Sequence, residues 1–184
     1  MTDFLKCAAC TRIVKVVQEG KGELVCCAAA MRPLGNFQSA NGILEFAIER
    51  EEEAHRFYLE WAGKLQPAHL KELFKGYAVE ERKHKEKLEA IKSGATFQPA
   101  AAKVVDLKIV DYLVDIRPTP DMDHQEAMII AMRREKSAFK LYNDLAAISG
   151  DENVRNLFLS LAQEEAKHKL RLETVYEKDI YRDN

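Results

Sequence analysis

The chain has 184 residues, enough for one well-packed domain and a small additional unit. Its 28 basic and 30 acidic residues are intermixed and give a net charge of -2, so composition provides no broad basic surface for nucleic acid or an acidic membrane. The first residues lack the basic and apolar regions of a secretory signal, and no apolar run approaches the roughly 18 residues of a membrane span, so we expect a soluble cytoplasmic protein.

Residues 1–36 contain every cysteine of the chain and are predicted to form a small β-rich domain. The cysteines are Cys7, Cys10, Cys26 and Cys27. Four thiolates on two short segments can hold one zinc or iron ion, and such an ion stabilises a unit too small to bury an adequate core. The alternative is that the cysteines bind no metal or form disulfides. The segments IVKVV and ELVCC flank the turn-like EGKG, which predicts a short hairpin.

Residues 37–184 are predicted to form a second, helical domain. Apolar residues recur at three- and four-residue spacing in four segments, which are residues 43–65, 68–94, 122–150 and 151–179. Gly63 with Pro67 should end the first helix, Gly94 the second, and Asp151 should cap the last.

The helical domain contains an internal repeat. Residues 43–93, aligned without a gap on residues 127–177, share 16 identities in 51 positions. The hairpins are therefore copies, and we expect them to pack about a pseudo-twofold axis. Between them lie 27 residues, 95–121, whose prolines and apolar middle predict a long crossover with a short helix of its own.

Each copy carries a Glu-x-x-His pair on its second helix, Glu81 with His84 and Glu165 with His168. Side chains three positions apart share a helix face, so each pair offers a carboxylate and an imidazole to one site. A single pair of this kind is usually a solvated helix face. The recurrence at a fixed offset of 84 residues favours a metal site instead.

The first helix of each copy carries a carboxylate on its apolar face, Glu51 or Glu135, with Tyr58 or Tyr142 seven residues later. A buried carboxylate needs a partner, and four glutamates with two histidines are the ligand set of di-iron helix bundles. The oxygen and nitrogen donors suit iron, with manganese or zinc as substitutes. The tyrosines either bond to the ligand carboxylates or pack in the core.

Other acidic and imidazole side chains are assigned to the outside of this site. Glu80 and Glu164 match each other but lack a histidine three residues later, so we expect them on the outer face or behind the ligands. His55, His69 and His124 have no counterpart in the repeat and are expected at the surface.

With these motifs the helical domain resembles the rubrerythrin and ferritin-like di-iron family. IEREEEAHRFY and MRREKSAFKLY are similar to its two Glu helices, and EERKH and EEAKH to its two Glu-x-x-His helices. The resemblance implies a ferritin-like four-helix bundle. It also implies that Glu51 with His84 serve one iron and Glu135 with His168 the other, while Glu81 and Glu165 bridge them. Ala138 stands where the family usually carries a further glutamate.

The N-terminal segment FLKCAACTRIVKVVQEGKGELVCCAAAMRPL resembles desulforedoxin and the N-terminal domain of desulfoferrodoxin. The resemblance implies one iron held by the four cysteines in a distorted FeS4 centre that exchanges single electrons, and it implies a homodimer, with residues 34–42 as a hinge across which domains could exchange. Thr11 and Ala28 stand where that family usually has glycine.

Together the resemblances imply a peroxidase that reduces hydrogen peroxide, and O2 as a second substrate, at the di-iron site. Electrons would reach the FeS4 centre from a donor protein such as a reductase or a rubredoxin-like carrier. A ferroxidase or iron-storage protein with a structural metal at the cysteines is the alternative, and a metal-stabilised interaction module is a third reading.

Overall fold

The computed structural model describes residues 4–7, 13–16, 20, 22–33, 39–97, 119 and 122–180. Within these ranges four long helices form the bulk of the protein: α1 Ala40–Lys64, α2 Ala68–Lys92, α3 His124–Ile148 and α4 Glu152–Ile180. They pair as two antiparallel hairpins, α1 with α2 and α3 with α4. The prediction of a mainly α, four-helix architecture is confirmed. None of these helices combines the length and the apolar character that a membrane crossing needs.

The helix ends follow local chemistry. The side chain of Ser39 accepts a hydrogen bond from Gly42 N at 3.1 Å at the start of α1, and Asp123 forms a capping box with Glu126 at the start of α3. Asp151 accepts from Val154 N at 2.9 Å, so its predicted capping role is confirmed. Gly94 follows α2 with a φ of 95°, a conformation that glycine adopts without steric cost.

Five short strands make up the described part of the N-terminal segment. They are β1 Phe4–Lys6, β2 Ile13–Lys15, β3 Val25–Cys26, β4 Ala29–Ala30 and β5 Arg32–Pro33. One antiparallel sheet has the order β2-β1-β5, and β3 pairs with β4. The predicted hairpin between IVKVV and ELVCC is wrong in this part of the chain, because β2 pairs with β1 and β3 pairs with β4. The predicted crossover helix and the predicted domain boundary at residues 36 and 37 lie outside the described residues.

Two apolar clusters fill the interior of the bundle. One cluster includes Tyr58, Phe74, Tyr77 and Met128, and the other includes Leu44, Leu88, Tyr142 and Phe158. Along each helix the chain passes from one cluster to the other. A layer of buried polar residues lies between the two clusters, so the apolar packing on both sides holds that layer in place.

Candidate metal centres

The polar layer of the bundle contains all six predicted ligands. Each of them is no more than 7% exposed: Glu51, Glu81, His84, Glu135, Glu165 and His168. The two imidazole rings stack with centroids 5.3 Å apart and planes 11° from parallel. The repeat therefore brings together residues from all four helices in one compact, water-poor site.

One half of the layer consists of Glu51, Glu81, His84 and Glu165, whose ligand atoms all lie within 4.8 Å of one another. Nδ1 of His84 is 3.5 Å from Glu51, 3.3 Å from Glu81 and 3.0 Å from Glu165. The imidazole thus presents Nδ1 to three carboxylates, which is the arrangement required to bind a cation among them.

The other half consists of Glu81, Glu135, Glu165 and His168, again within 4.8 Å. Nδ1 of His168 is 3.1 Å from Glu135, 3.4 Å from Glu81 and 3.6 Å from Glu165. Glu81 and Glu165 belong to both halves, as expected of carboxylates that bridge two ions.

The Nε2 atom of each imidazole, which faces away from the layer, contacts a further, outer carboxylate. That carboxylate belongs to the hairpin that does not contain the histidine. Nε2 of His84 lies 2.8 Å from Glu164, and Nε2 of His168 lies 2.8 Å from Glu80. With Nδ1 facing the layer, each Nε2–H donates to its carboxylate, which fixes the ring orientation and makes the ligating nitrogen more basic. Of the two places predicted for Glu80 and Glu164, the outer face or behind the ligands, the contacts show the second.

The two outer carboxylates differ in their own contacts. Lys87 Nζ lies 2.8 and 2.6 Å from the two oxygens of Glu164. Although burial opposes it, the hydrogen bonds from His84 and Lys87 lower the pKa of Glu164 to about 2. Arg171 occupies the position equivalent to Lys87, and its guanidinium lies over the ring of Tyr77, 5.6 Å from the centroid. Sequence reasoning missed the Lys87 contact because it depends on how the hairpins pack.

Burial and the charges of neighbouring groups shift the pKa values of the side chains in the layer. Burial, and then the charge of neighbouring glutamates, raises the pKa of Glu51 and of Glu135 well above the usual range. Burial opposes charge on the imidazoles, but the surrounding carboxylates raise the pKa of His84 and His168 well above 6.5. Burial opposes charge on Glu81, but the nearby imidazoles of His168 and His84 lower its pKa.

The residues of the layer fit two divalent cations. Four buried carboxylates match the charge of two such ions, and these donors suit iron, manganese or zinc. Four buried atoms that could ligate a cation have no hydrogen-bond partner within the described ranges: Glu51 Oε2, Glu81 Oε1, His84 Nδ1 and Glu165 Oε1. Buried polar atoms without partners are costly, and cations in the layer would satisfy them.

The two predicted tyrosines have different surroundings. Tyr58 donates a hydrogen bond to Oε1 of Glu135, whereas the hydroxyl of Tyr142 has no hydrogen-bond partner among the residues described. Tyr142 instead stacks on Phe158 with ring centroids 5.8 Å apart. One tyrosine therefore contacts a candidate ligand and the other packs in the core.

The three remaining histidines lie away from the layer. His69 and His124 are exposed, as predicted. His55 is half-buried, with Nδ1 2.6 Å from the carbonyl oxygen of Ala78. The described contacts do not bring any of the three into the ligand layer.

A second candidate centre lies in the N-terminal unit. The sulfur atoms of Cys7, Cys26 and Cys27 all lie within 4.8 Å of one another, and those of Cys26 and Cys27 are 3.9 Å apart. Cys10, the fourth predicted ligand, lies outside the described residues. Three thiols at this spacing suit a soft, thiolate-binding ion such as zinc or iron.

The turn between β3 and β4 places the adjacent cysteines. Cys27 and Ala28 have φ values of 54° and 60°, so both residues of this two-residue turn are left-handed. Such turns usually use glycine or asparagine, because a side chain at positive φ costs about 1–2 kcal/mol. Sequence reasoning missed the turn because neither residue type signals it.

Family comparisons agree with these two centres. The Rubrerythrin family profile matches residues 42–176. The chain belongs to the rubrerythrin family. The profile of the desulfoferrodoxin N-terminal domain matches residues 1–34, so the chain carries a desulforedoxin-like unit before its bundle. Both families support iron as the metal. No curated protein matches the chain significantly.

Three solved structures have a fold similar to that of this chain. A hypothetical protein from Pyrococcus furiosus has a TM-score of 0.56 and 25% identity, over 76% of this chain and 89% of that one. A proposed ferritin-like diiron-carboxylate protein from Thermotoga maritima has a TM-score of 0.56 and 23% identity, over 76% and 95%. A dodecameric thioferritin, a bacterioferritin-related protein from Bacteroides fragilis, has a TM-score of 0.59 and 22% identity, over 80% and 89%. These neighbours confirm the ferritin-like fold.

Proposed function

We propose that this member of the rubrerythrin family is a peroxidase that reduces hydrogen peroxide to water at a di-iron site, with electrons relayed by an iron ion at the four cysteines. The observation that supports the proposal is that one chain carries two kinds of candidate metal site, a carboxylate and imidazole layer and a cysteine cluster. The buried carboxylate and imidazole layer suits a reaction with a small oxidant, and the thiol cluster suits one-electron transfer.

In this proposal Glu51 and His84 would hold one ion, Glu135 and His168 would hold the other, and Glu81 and Glu165, which lie in both halves of the layer, would contribute to both. When bound, two ferrous ions supply the two electrons that cleave the O–O bond of peroxide. The helices fix the positions of the carboxylates, so little reorganisation accompanies the reaction.

The burial of the layer excludes bulk water. Glu80 and Glu164 are 37% and 29% exposed at the side chain and contact the imidazoles directly. They are therefore the groups between solvent and site through which protons for water formation would pass. O2 is a second proposed substrate, and a homodimer that takes electrons from a reductase or a rubredoxin-like carrier is the proposed assembly.

Iron oxidation and storage is the alternative function, and the thioferritin of Bacteroides fragilis favours it, since that protein is a dodecamer with a similar fold. Storage needs a closed shell around a cavity. A dimer in sedimentation velocity would argue against storage for this chain, and a large hollow assembly that accumulates iron would support it.

The decisive experiment measures metal content and single-turnover peroxide reduction on protein purified without oxygen. We expect about three iron ions per chain, one at the cysteines and two in the bundle. The fully reduced protein should consume peroxide without releasing O2. Zinc at the cysteines with iron only in the bundle, and no peroxide consumption, would contradict the proposal.

A further inference from the structure

The two halves of the ligand layer differ in the phenols beside them. Tyr58 donates a hydrogen bond to Glu135, and Tyr77 donates one to the backbone carbonyl of His168 at 3.1 Å. Both phenols therefore contact residues of the same half. In the other half the counterpart of Tyr58 is Tyr142, whose hydroxyl bonds to no described residue, and the counterpart of Tyr77 is Leu161.

The two tyrosines and the imidazole form a continuous set of rings. The centroids of Tyr58 and Tyr77 are 5.2 Å apart, and those of Tyr77 and His168 are 5.1 Å apart. Both tyrosines are fully buried. These contacts connect Tyr58 to a candidate metal ligand through aromatic rings, which is the connection that electron transfer between them needs.

The hydrogen bonds decide which phenol can give up an electron. A phenol is oxidised readily only when its proton leaves at the same time, and the proton needs a basic acceptor. The acceptor for Tyr58 is an oxygen of Glu135, which must be ionised whenever it ligates a cation, whereas the acceptor for Tyr77 is a peptide carbonyl, which is a very weak base. Tyr58 is therefore the oxidisable residue, and Tyr77 is a positioning residue that packs between it and His168.

We propose that Tyr58 supplies one electron and one proton to peroxide reduction when the metal centre holds only a single reducing equivalent. The inference rests on the proposed peroxidase function. Peroxide takes one electron from the metal ion and one from Tyr58, its O–O bond breaks, and the phenol proton with one proton from solvent completes two water molecules. The neutral tyrosyl radical that remains returns to phenol with one electron from the cysteine centre and one proton. A half-reduced site then releases no hydroxyl radical.

The test uses the full chain with zinc at the cysteines and one ferrous ion per chain in the bundle, mixed without oxygen with one equivalent of peroxide. Freeze-quench electron paramagnetic resonance should show a tyrosyl radical, and ring-deuterated tyrosine should narrow its spectrum. Tyr58→Phe should remove the signal and raise the yield of spin-trapped hydroxyl radical. The matched control Tyr142→Phe, at the equivalent buried position, should keep the tyrosyl signal.

An unchanged radical signal in Tyr58→Phe would overturn the proposal. So would wild-type protein that consumes peroxide without any tyrosyl radical, and this outcome would leave the peroxidase function intact. The isotope measurement on wild-type protein does not depend on how the variants fold. Failure of the fully reduced, iron-loaded protein to consume peroxide would instead remove the proposed function and this inference with it.

Discussion

The two candidate metal centres obtain their geometry in opposite ways. In the bundle, the ligand layer lies between two apolar clusters on helices of 25 and 29 residues. In the N-terminal unit, the described strands have two or three residues, and the turn that holds Cys27 is left-handed at two side-chain-bearing positions. Packing therefore positions the carboxylates without help from an ion, whereas we expect the backbone around the thiols to depend on a bound ion.

Metal removal should separate the two regions most clearly. After chelation under reducing conditions, we expect the amides of residues 4–33 to exchange with deuterium at rates close to those of unfolded chain. The helices should keep their protection, because their apolar clusters do not depend on an ion. Hydrogen exchange followed by mass spectrometry measures both regions at once, and equal loss of protection in both would refute the comparison.

Replacing a carboxylate that belongs to both halves of the ligand layer should have a large effect confined to the bundle. Glu81→Ala removes a ligand atom from both halves of the layer, so we expect the bundle to lose its ions. The affinity should fall by more than the roughly 10- to 100-fold typical of changes behind the ligands. The cysteine metal should remain. Glu86→Ala, on the exposed face of the same helix, is the control, and both are compared by metal content per chain.

The pH dependence of stability should distinguish metal-free from metal-loaded protein. The raised pKa values of His84 and His168 give stability that is complete below about 6.5, their unfolded value, and is lost as pH rises through the folded values. The raised pKa values of Glu51 and Glu135 act in the same direction. The free energy of unfolding of the metal-free bundle should therefore fall with rising pH, by about 1.4 kcal/mol per unit for each proton released.

Bound cations replace those protons, so the metal-loaded protein should show a flatter profile over the same range. Urea unfolding of both forms between about pH 6.5 and pH 9 measures the two slopes. If the free energy of unfolding changed with pH equally in both forms, protons and cations would not compete for the layer.

The smallest expected effect concerns the turn of the cysteine unit. Ala28→Gly relieves a positive φ and should stabilise the β3–β4 turn by about 1 kcal/mol. The bond from Met31 N to Leu24 O, 2.8 Å long, reports on this turn through the exchange rate of the Met31 amide. Ala30→Gly, in β4, should instead speed that exchange, since glycine weakens a strand. Faster exchange in both variants would contradict the strained turn.

Much of the bundle could be predicted because a repeat constrains register. A ligand must occupy the same face in both copies, so Glu51 and Glu135 could be separated from neighbouring acidic residues by spacing alone. Tyr77 could not be identified in this way. An aromatic residue at an apolar position is interpreted as a core residue. Tyr77 stands out only in the structure, where it contacts His168 and where the equivalent residue of the other hairpin is Leu161.

The β-rich unit was harder to predict for a physical reason. Alternating apolar residues identify strands such as β2 and β3, but strand pairing in so small a unit depends on contacts distant in sequence. The pair Cys27 and Ala28 forms the kind of turn that composition assigns to glycine or asparagine. The link between Lys87 and Glu164 was equally hidden, because it joins two hairpins whose relative rotation no local pattern encodes.

Each hairpin supplies the outer carboxylate for the histidine of the other hairpin, Glu164 for His84 and Glu80 for His168. This arrangement affects how the two halves of such a site can become different in sequence. A symmetric pair of identical hairpins would supply every ligand and every outer carboxylate, but any substitution would appear on both sides of the ions at once. Joining the copies in one chain removes that constraint. Substitutions can then differ between the two halves of the layer, as Tyr77 in one hairpin and Leu161 in the other illustrate, while the six candidate ligands stay the same.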